Sequence, residues 1–183
     1  MHFRLDTRKA IEAAATLLRL APHRLMGRKR LLALLYLAER ESLKRSGRPI
    51  IGGRLIAMDY GPIHSEIYDL IKGSHSAQAE WSRHFQNEGY QVRLAHDLGT
   101  AALSRQEVNL LNEISSERLG CDDFDIAAET HGEEWQRNHH ADTSTPIPLE
   151  DLIEAVGRSK DKDAILRDVE EKLYFDRLFS TKK

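Results

Sequence analysis

The sequence contains little cysteine and no long apolar stretch. Its one cysteine, Cys121, excludes an internal disulfide and is typical of a reducing compartment. No segment approaches the roughly 20 apolar residues that a membrane-spanning helix needs, and the opening MHFRLDTRKA lacks the apolar core of a secretory signal. We therefore expect a cytoplasmic protein with no membrane segment, and 40% hydrophobic residues among 183 suffice for one buried core.

Sequence motifs of enzymes and of metal sites are also missing. His131-Gly132-Glu133 has the His-x-Glu spacing of zinc deaminases but lacks their Pro-Cys-x-x-Cys partner. No His-Glu-x-x-His, Gly-x-Ser-x-Gly or phosphate-binding Gly-x-x-x-x-Gly-Lys-Ser/Thr motif occurs. The neighbouring acids Glu133 and Glu134 would point about 100° apart on a helix, which favours a solvated face. We expect no enzyme activity, no cofactor and no metal.

The charge balance gives no basic surface on the scale of the whole chain. The formal net charge is -2, from 27 basic and 29 acidic residues, so nucleic-acid binding would need a local patch. Basic residues gather at both ends of the second predicted helix: Arg24, Arg28, Lys29 and Arg30 at its start, and Arg40, Lys44, Arg45 and Arg48 at its end. Those at the end complement the helix dipole, whereas those at the start oppose it. The starting group therefore needs an acidic partner, which we expect to be an acid of this chain, another protein or phosphate, in that order.

Hydrophobic periodicity predicts a mainly helical α+β fold. We expect about seven helices and a small antiparallel β element in the middle of the chain. The first predicted helix follows a cap at Asp6 or Thr7, and the next two span 25–44 and 77–85. One helix follows a capping box of Ser104 with Glu107, and another follows Asp122 or Asp123. The last two begin at Pro148 and span 164–179. Alternation at Tyr90, Val92 and Leu94 predicts a strand, which we expect to pair with residues 54–58.

The stretch 47–71, GRPIIGGRLIAMDYGPIHSEIYDLI, has the clearest sequence signals for turns and for the ends of helices and strands. Two short strand pieces surround a bend or hairpin at Gly52-Gly53, and a second turn at Tyr60 leads into a helix that starts at Pro62. Gly47, Pro49, Gly61 and Pro62 are interpreted as backbone-shaping residues. Tyr60 lies at a turn between strand and helix, so it is the best candidate for an exposed aromatic anchor.

Four elements of the sequence together resemble a known family. They are LLYLAE at 34–39, GRPI at 47–50, the turn and helix residues Tyr60, Gly61, Pro62, Ser65 and Tyr68, and Thr130-His131 with Trp135. This order is similar to the KLLYFAD-type helix, GRPITGD, Y-GPV-S-LY and T-H-E-x-x-W elements of the Panacea, or SocA-like, antitoxin domain. The resemblance is strongest over 31–135, and it departs from the family at Gly53 and Gly132, where polar or acidic residues are common.

The resemblance implies an antitoxin, often prophage-associated, that neutralises a cognate toxin by direct binding and catalyses nothing. It implies one domain over 1–183, with a helical C-terminal extension at 146–180. The candidate partner-binding residues are Arg48, Tyr60 and Ser65, with His131 and Trp135 adjoining them. Trp81 and Trp135 are expected mainly to pack in the core.

Two alternatives stay open at this point. One is a proteolytic adaptor that delivers its partner to an ATP-dependent protease. The other is a winged-helix-like DNA-binding regulator, although the helix 63–71 carries Glu66 and Asp69 and no arginine. We do not expect nucleic acid or a membrane as a partner.

Overall fold

The computed structural model describes residues 1–180, which contain nine α-helices and six strands. The helices are α1 (Thr7–Leu20), α2 (Arg28–Ser46), α3 (Ser65–Lys72), α4 (Gln78–Trp81), α5 (Arg105–Ser116), α6 (Asp123–Glu129), α7 (Glu133–Asn138), α8 (Leu149–Ala155) and α9 (Lys162–Ser180). The strands are β1 (Leu25–Gly27), β2 (Leu55–Met58), β3 (Gly61–His64), β4 (Phe85–Glu88), β5 (Gln91–Leu94) and β6 (Thr145–Pro146). The predicted mainly helical α+β fold is confirmed, with somewhat more helices than the seven expected.

Three helix starts, those of α1, α5 and α6, are fixed by side chains that the sequence identifies. The Asp6 carboxylate accepts from the backbone N–H of Lys9, and Asp122 caps α6 in the same way through Asp125. Ser104 and Glu107 form the predicted capping box at the start of α5. These local patterns were sufficient because each involves residues only three positions apart.

The β structure forms two antiparallel sheets of three strands each. One sheet has the strand order β1-β5-β4 and the other has the order β3-β2-β6. Strands β2 and β3 form a hairpin in which Met58 lies opposite Gly61, so that the turn is at Asp59-Tyr60. On the other edge of β2, Ala57 lies opposite Thr145 of β6.

The prediction that the strand near Tyr90 pairs with residues 54–58 is wrong. Strand β5 pairs with β4, where Glu88 lies opposite Gln91, and with β1, where Leu25 lies opposite Arg93. A two-residue turn joins β4 to β5, and strands adjacent in sequence usually pair when a tight turn allows it. The hydrophobic alternation predicts the strand itself, which is present as β5, but alternation does not identify the partner strand.

Two helix boundaries shift because of the same sheet. The helix predicted for 25–44 begins at Arg28, since Leu25–Gly27 is extended and forms the edge strand β1. The helix predicted for 77–85 ends at Trp81, since Phe85 opens β4. The Trp81 and Phe85 rings still pack together in the core, with their centroids 4.1 Å apart.

Helix α2 is the centre of the fold. It contacts α1, α3, α5, α6 and α8, and its leucines from Leu31 to Leu43 are buried on most sides. The helix ends at Gly47, which has a left-handed φ of 72° and donates its N–H to Leu43 O. One charged side chain, Glu39, is carried into the core by this helix.

The Glu39 carboxylate holds the loop that follows α2. Its Oε2 accepts from the backbone N–H groups of Ile50 and Ile51, at 2.9 and 3.0 Å, and its Oε1 accepts from Gly52 at 2.8 Å. These three N–H groups are therefore unavailable for a strand ladder. This is why residues 50–51 do not pair with β2, contrary to the predicted strand piece. The hairpin turn therefore lies at Asp59-Tyr60 and not at Gly52-Gly53.

His64 fixes the same loop from the opposite side. It is fully buried at the end of β3, and its Nδ1 lies 3.1 Å from Gly52 O, to which it donates. Because Pro62 lies inside β3, helix α3 begins at Ser65 and not at Pro62 as predicted. The N-terminal segment completes the arrangement, since Asp6 N–H donates to Ile51 O.

None of the helices within residues 1–180 combines the length and the apolar character needed to cross a bilayer.

Replacing Glu39 by Gln should destabilise the fold. The amide keeps one acceptor oxygen but turns an NH₂ donor toward backbone N–H donors, which leaves at least one of them unpaired. We expect a loss of roughly 1–3 kcal/mol in the free energy of unfolding, measured by urea denaturation. Glu41→Gln is the matched control, because Glu41 lies on the same helix and makes only surface ion pairs with Lys44 and Arg45. Equal losses in the two variants would contradict the role given to Glu39.

Glu39 and His64 should give opposite slopes of stability against pH. Burial raises the pKa of Glu39 from 4.5 to about 7, so its contribution to stability falls as the pH rises through that range. Burial lowers the pKa of His64 from 6.5 to about 4, so its contribution rises with pH over that interval. Glu39→Gln removes only the first slope. The free energy of unfolding of this variant should therefore rise more steeply with pH than that of the parent between 4.5 and 6.5, and parallel curves would refute the assignment.

Candidate partner-binding site

The tip of the β2–β3 hairpin presents an aromatic side chain to solvent. Tyr60 is 69% exposed, and Lys29 of α2 places its Nζ 3.6 Å from the centre of the Tyr60 ring. A cation over an aromatic face is a weak attraction of about 0.5–1 kcal/mol at an exposed site. The contact limits the positions of the ring while leaving most of its surface free.

A ladder of three stacked rings supports the hairpin tip. His131, Trp135 and His139 follow one another at spacings of four residues along α7 and its two ends. Their centroids are 3.9 Å and 4.3 Å apart, and the planes are within 10° and 18° of parallel. The Trp135 indole N–H donates to Met58 O at 2.9 Å, and His139 Nε2 lies 2.8 Å from Asp59 Oδ1. The ladder therefore braces both the last residue of β2 and the turn itself.

Gly61, on the far side of the turn, packs closely against Thr130, the residue before the first ring of the ladder. Gly61 has a φ of 127°, and a Cβ at this position would lie 2.5 Å from Thr130 Oγ1. Only glycine fits this contact, since the conformation and the space both exclude a side chain. The Tyr-Gly-Pro and Thr-His elements, which are far apart in the sequence, thus form one local structure.

Helix α7 is held against α2 by a buried polar group. Glu134 is fully buried, and its Oε1 accepts from the Tyr36 hydroxyl and, at 2.8 Å, from Arg40 Nε. Burial, together with the Glu134 charge, raises the pKa of Tyr36 well above its ordinary value, so the phenol remains a proton donor. The prediction that Glu133 and Glu134 form a solvated face is wrong for Glu134, because its carboxylate docks α7 on α2.

The model of the family described as antitoxin SocA-like, Panacea domain, matches residues 31–136. The chain belongs to this family. No curated protein and no solved structure was found to match it. The matched Panacea segment runs from α2 to α7, so it contains the Glu39 contact, the hairpin and most of the aromatic ladder.

One departure of this chain from the family pattern has a local explanation. Gly132 stands where the Panacea family often has Glu, and a Cβ there would lie 2.5 Å from Glu134 Oε2. The buried Glu134 carboxylate therefore occupies the space that a side chain at position 132 would need.

The structure brings only some of the predicted site residues together. Tyr60, His131 and Trp135 meet at the tip of the Panacea hairpin. Ser65 follows the other end of β3, four residues from Gly61 and about 13 Å away at 3.3 Å per residue, and its Oγ donates to Glu66 Oε2. Arg48 is exposed and, with Pro49, lines a separate groove of 1560 Å³ between the N-terminal segment, the end of α2, α5 and α9.

Sequence reasoning missed three residues of the tip: Lys29, Asp59 and His139. The signal for His139 was available, because His131, Trp135 and His139 share one face of a helix at i, i+4 and i+8. Lys29 belongs to the basic group at the start of α2, but its contact with Tyr60, 31 residues further along the chain, had no sequence signal. Asp59 gave no local signal, since His139 lies far away in the sequence. Within residues 1–180, no group of three or more His, Cys, Asp or Glu side chains is placed to hold a metal ion.

Trp135→Phe tests the brace without removing the stack. The variant keeps an aromatic ring between the two histidines but leaves Met58 O without its indole donor. We expect the free energy of unfolding to fall by about 0.5–1.5 kcal/mol. Relative to the parent, amide hydrogen exchange should accelerate more in β2 and β3 than in the rest of the chain. Trp81→Phe is the control, because it perturbs the core beside β4 and should accelerate exchange there. A hairpin that is unaffected by Trp135→Phe would contradict the brace.

Proposed function

We propose that this chain is an antitoxin that neutralises a cognate toxin protein by direct binding, without catalysis. The observation that carries the proposal is the exposed Tyr60 ring on a braced hairpin tip. Membership of the SocA-like antitoxin family supports the general role. The geometry supports the more specific statement that a protein partner is bound at this tip.

The physical argument is the low cost of ordering this side chain. Aromatic residues dominate the energy of protein interfaces because they bury a large area with few rotatable bonds. Binding also costs free energy whenever a loop must first be ordered. Here the ladder holds the turn through Met58 and Asp59 before any partner arrives. Most of the free energy from burying Tyr60 is therefore available for binding.

The five proposed partner-binding residues take different roles in this scheme. Tyr60 contacts the partner, while His131 and Trp135 position the tip beneath it. Arg48 and Ser65 lie outside this contact, and we propose them as secondary positions. We further propose one non-catalytic domain over 1–183, acting in the cytoplasm. The single cluster of buried apolar residues, which runs from Ala10 to Val169, favours one domain, although residues 181–183 lie outside the described part.

A proteolytic adaptor is the second candidate, and one observation favours it. An adaptor must bind two proteins at once, which requires a surface distinct from the hairpin tip. The groove beside α9 is such a surface, and the end of α9 exposes apolar side chains: Tyr174, Phe175, Leu178 and Phe179. In a winged-helix arrangement of this chain, the strand at Tyr90 would be the wing beside the helix that follows Pro62. That strand, β5, lies in a different sheet from the hairpin that leads into α3, so we do not propose the DNA-binding alternative.

Co-expression tests the proposal directly. The neighbouring reading frame is expressed alone and together with this chain, and growth is measured. We expect it to be toxic alone and tolerated together, and we expect Tyr60→Ala to abolish rescue through a loss of about 2 kcal/mol in binding free energy. Tyr174→Ala is the control, because this ring is also exposed but lies on α9.

The outcomes separate the candidates. Rescue by Tyr60→Ala that equals rescue by the parent would exclude the hairpin tip as the contact. Loss of rescue in Tyr174→Ala alone would move the contact to α9. Rescue that disappears only in a strain without ATP-dependent proteases would favour the adaptor over direct neutralisation.

A further inference from the structure

Three strongly exposed aromatic residues lie on segments that meet at the first turn of α2. Tyr60, Tyr90 and Phe124 are 69%, 77% and 84% exposed. They come from three separate segments of the chain: the β2–β3 turn, the β4–β5 turn and the start of α6. Monomeric proteins rarely group large exposed apolar side chains unless the surface meets a partner.

The first turn of α2 brings these segments together through direct contacts. Lys29 Nζ lies 3.6 Å from the centre of the Tyr60 ring. The Arg28 guanidinium lies 4.8 Å from the centre of the Tyr90 ring, and Arg28 N–H donates to Tyr90 O. On the third side, Arg30 pairs with Asp123, the residue before Phe124. A helix is only about 10–12 Å wide with its side chains, so the three segments that carry these residues converge on the first turn of α2.

The charges of this region are only partly balanced within the chain. Arg30 satisfies its guanidinium with Asp123 and with the carbonyl oxygens of Arg118 and Cys121. This agrees with the expectation that an acid of the chain itself would partner the cluster. Arg28 and Lys29, however, pair with no carboxylate in residues 1–180 and lie on aromatic rings instead. Two cations thus remain without an acidic partner, each over one of the exposed tyrosine rings.

We propose that Arg28, Lys29, Tyr60, Tyr90 and Phe124 form one docking surface, the aromatic–cation surface, for an acidic patch on the partner protein. The proposal rests on the proposed function and specifies the chemistry of the partner. Arg and Tyr are the residue types enriched at interface hot spots, and unpaired cations select a partner with opposite charge. The partner face would carry carboxylates opposite Arg28 and Lys29, and apolar surface opposite the rings.

The occupant is a protein and not a nucleic acid. Exposed carboxylates of Asp122, Asp123 and Asp125 flank Phe124, and they would repel a phosphate backbone. Nucleic-acid sites use many cations, because each neutralised phosphate contributes to affinity. This surface offers two unpaired cations, in a chain with a net charge of -2. A folded protein can place acids against the cations and still avoid the three aspartates.

The test measures binding of the purified neighbouring-frame protein to the full chain by calorimetry, at low and high salt. The double variant Arg28→Glu/Lys29→Glu should bind about 30-fold more weakly or worse, and should lose most of the salt dependence. Tyr90→Ala and Phe124→Ala should each weaken binding about 10-fold or more. The matched control is Arg105→Glu/Lys160→Glu, which makes the same charge change at two exposed cations elsewhere and should bind within about threefold of the parent. Thermal unfolding of each variant confirms that it is folded.

The results distinguish failure of this inference from failure of the proposed function. If the parent binds and the double variant binds equally well, the aromatic–cation surface is wrong and toxin binding stands. If the parent does not bind at all, the proposed function fails and this inference fails with it. Restored binding between the double variant and a partner with Lys in place of surface acids would support the charge pairing. Binding of single-stranded or duplex oligonucleotides that depends on Arg28 and Lys29 would overturn the protein occupant.

Discussion

The rest of the structure depends on one buried carboxylate that accepts three backbone hydrogen bonds. Glu39 lies on the central helix, and its carboxylate accepts hydrogen bonds from the backbone N–H groups of Ile50, Ile51 and Gly52. These residues form an irregular loop, so their N–H groups have no strand partner. Burying a carboxylate is costly, which is why its pKa rises to about 7 despite the three donors. The loop in turn provides Ile51 O for the N-terminal segment and Gly52 O for His64, so α1, α2 and the hairpin base are all positioned from one side chain.

From this fixed base the hairpin extends to a tip that is secured independently. Trp135 and His139 contact Met58 and Asp59, and Glu134 docks the helix that carries them on α2. Both ends of the hairpin are therefore tied to the same central helix through buried or half-buried polar contacts. Such an arrangement gives Tyr60 an exposed and ordered position, as a binding surface requires. In the proposed docking surface, the nearby cations Arg28 and Lys29 would select a partner with acidic groups.

Much of the fold could be predicted from local patterns, because caps and amphipathic faces involve residues three or four positions apart. The caps at Asp6, Ser104 and Asp122, and the burial of α2 on most sides, belong to this class. The pairing of β5 could not be predicted, since alternation shows that a strand exists without indicating its neighbour. Within the site, the exposure of Tyr60 followed from its turn, whereas the burial of Glu134 depended on Tyr36 and Arg40, almost 100 residues earlier. Arg48 and Ser65 were grouped with Tyr60 because they are close in sequence, and the hairpin separates them.

The central claim is that a protein partner binds at the hairpin tip and the neighbouring start of α2. Amide hydrogen exchange of the full chain, measured free and in complex with the neighbouring-frame protein, tests it most directly. The account predicts that binding slows exchange at residues 57–62, 28–30 and 89–91, and leaves α8 and α9 unchanged. Protection confined to α9 and the groove lined by Arg48, with no change at the hairpin tip, would contradict it.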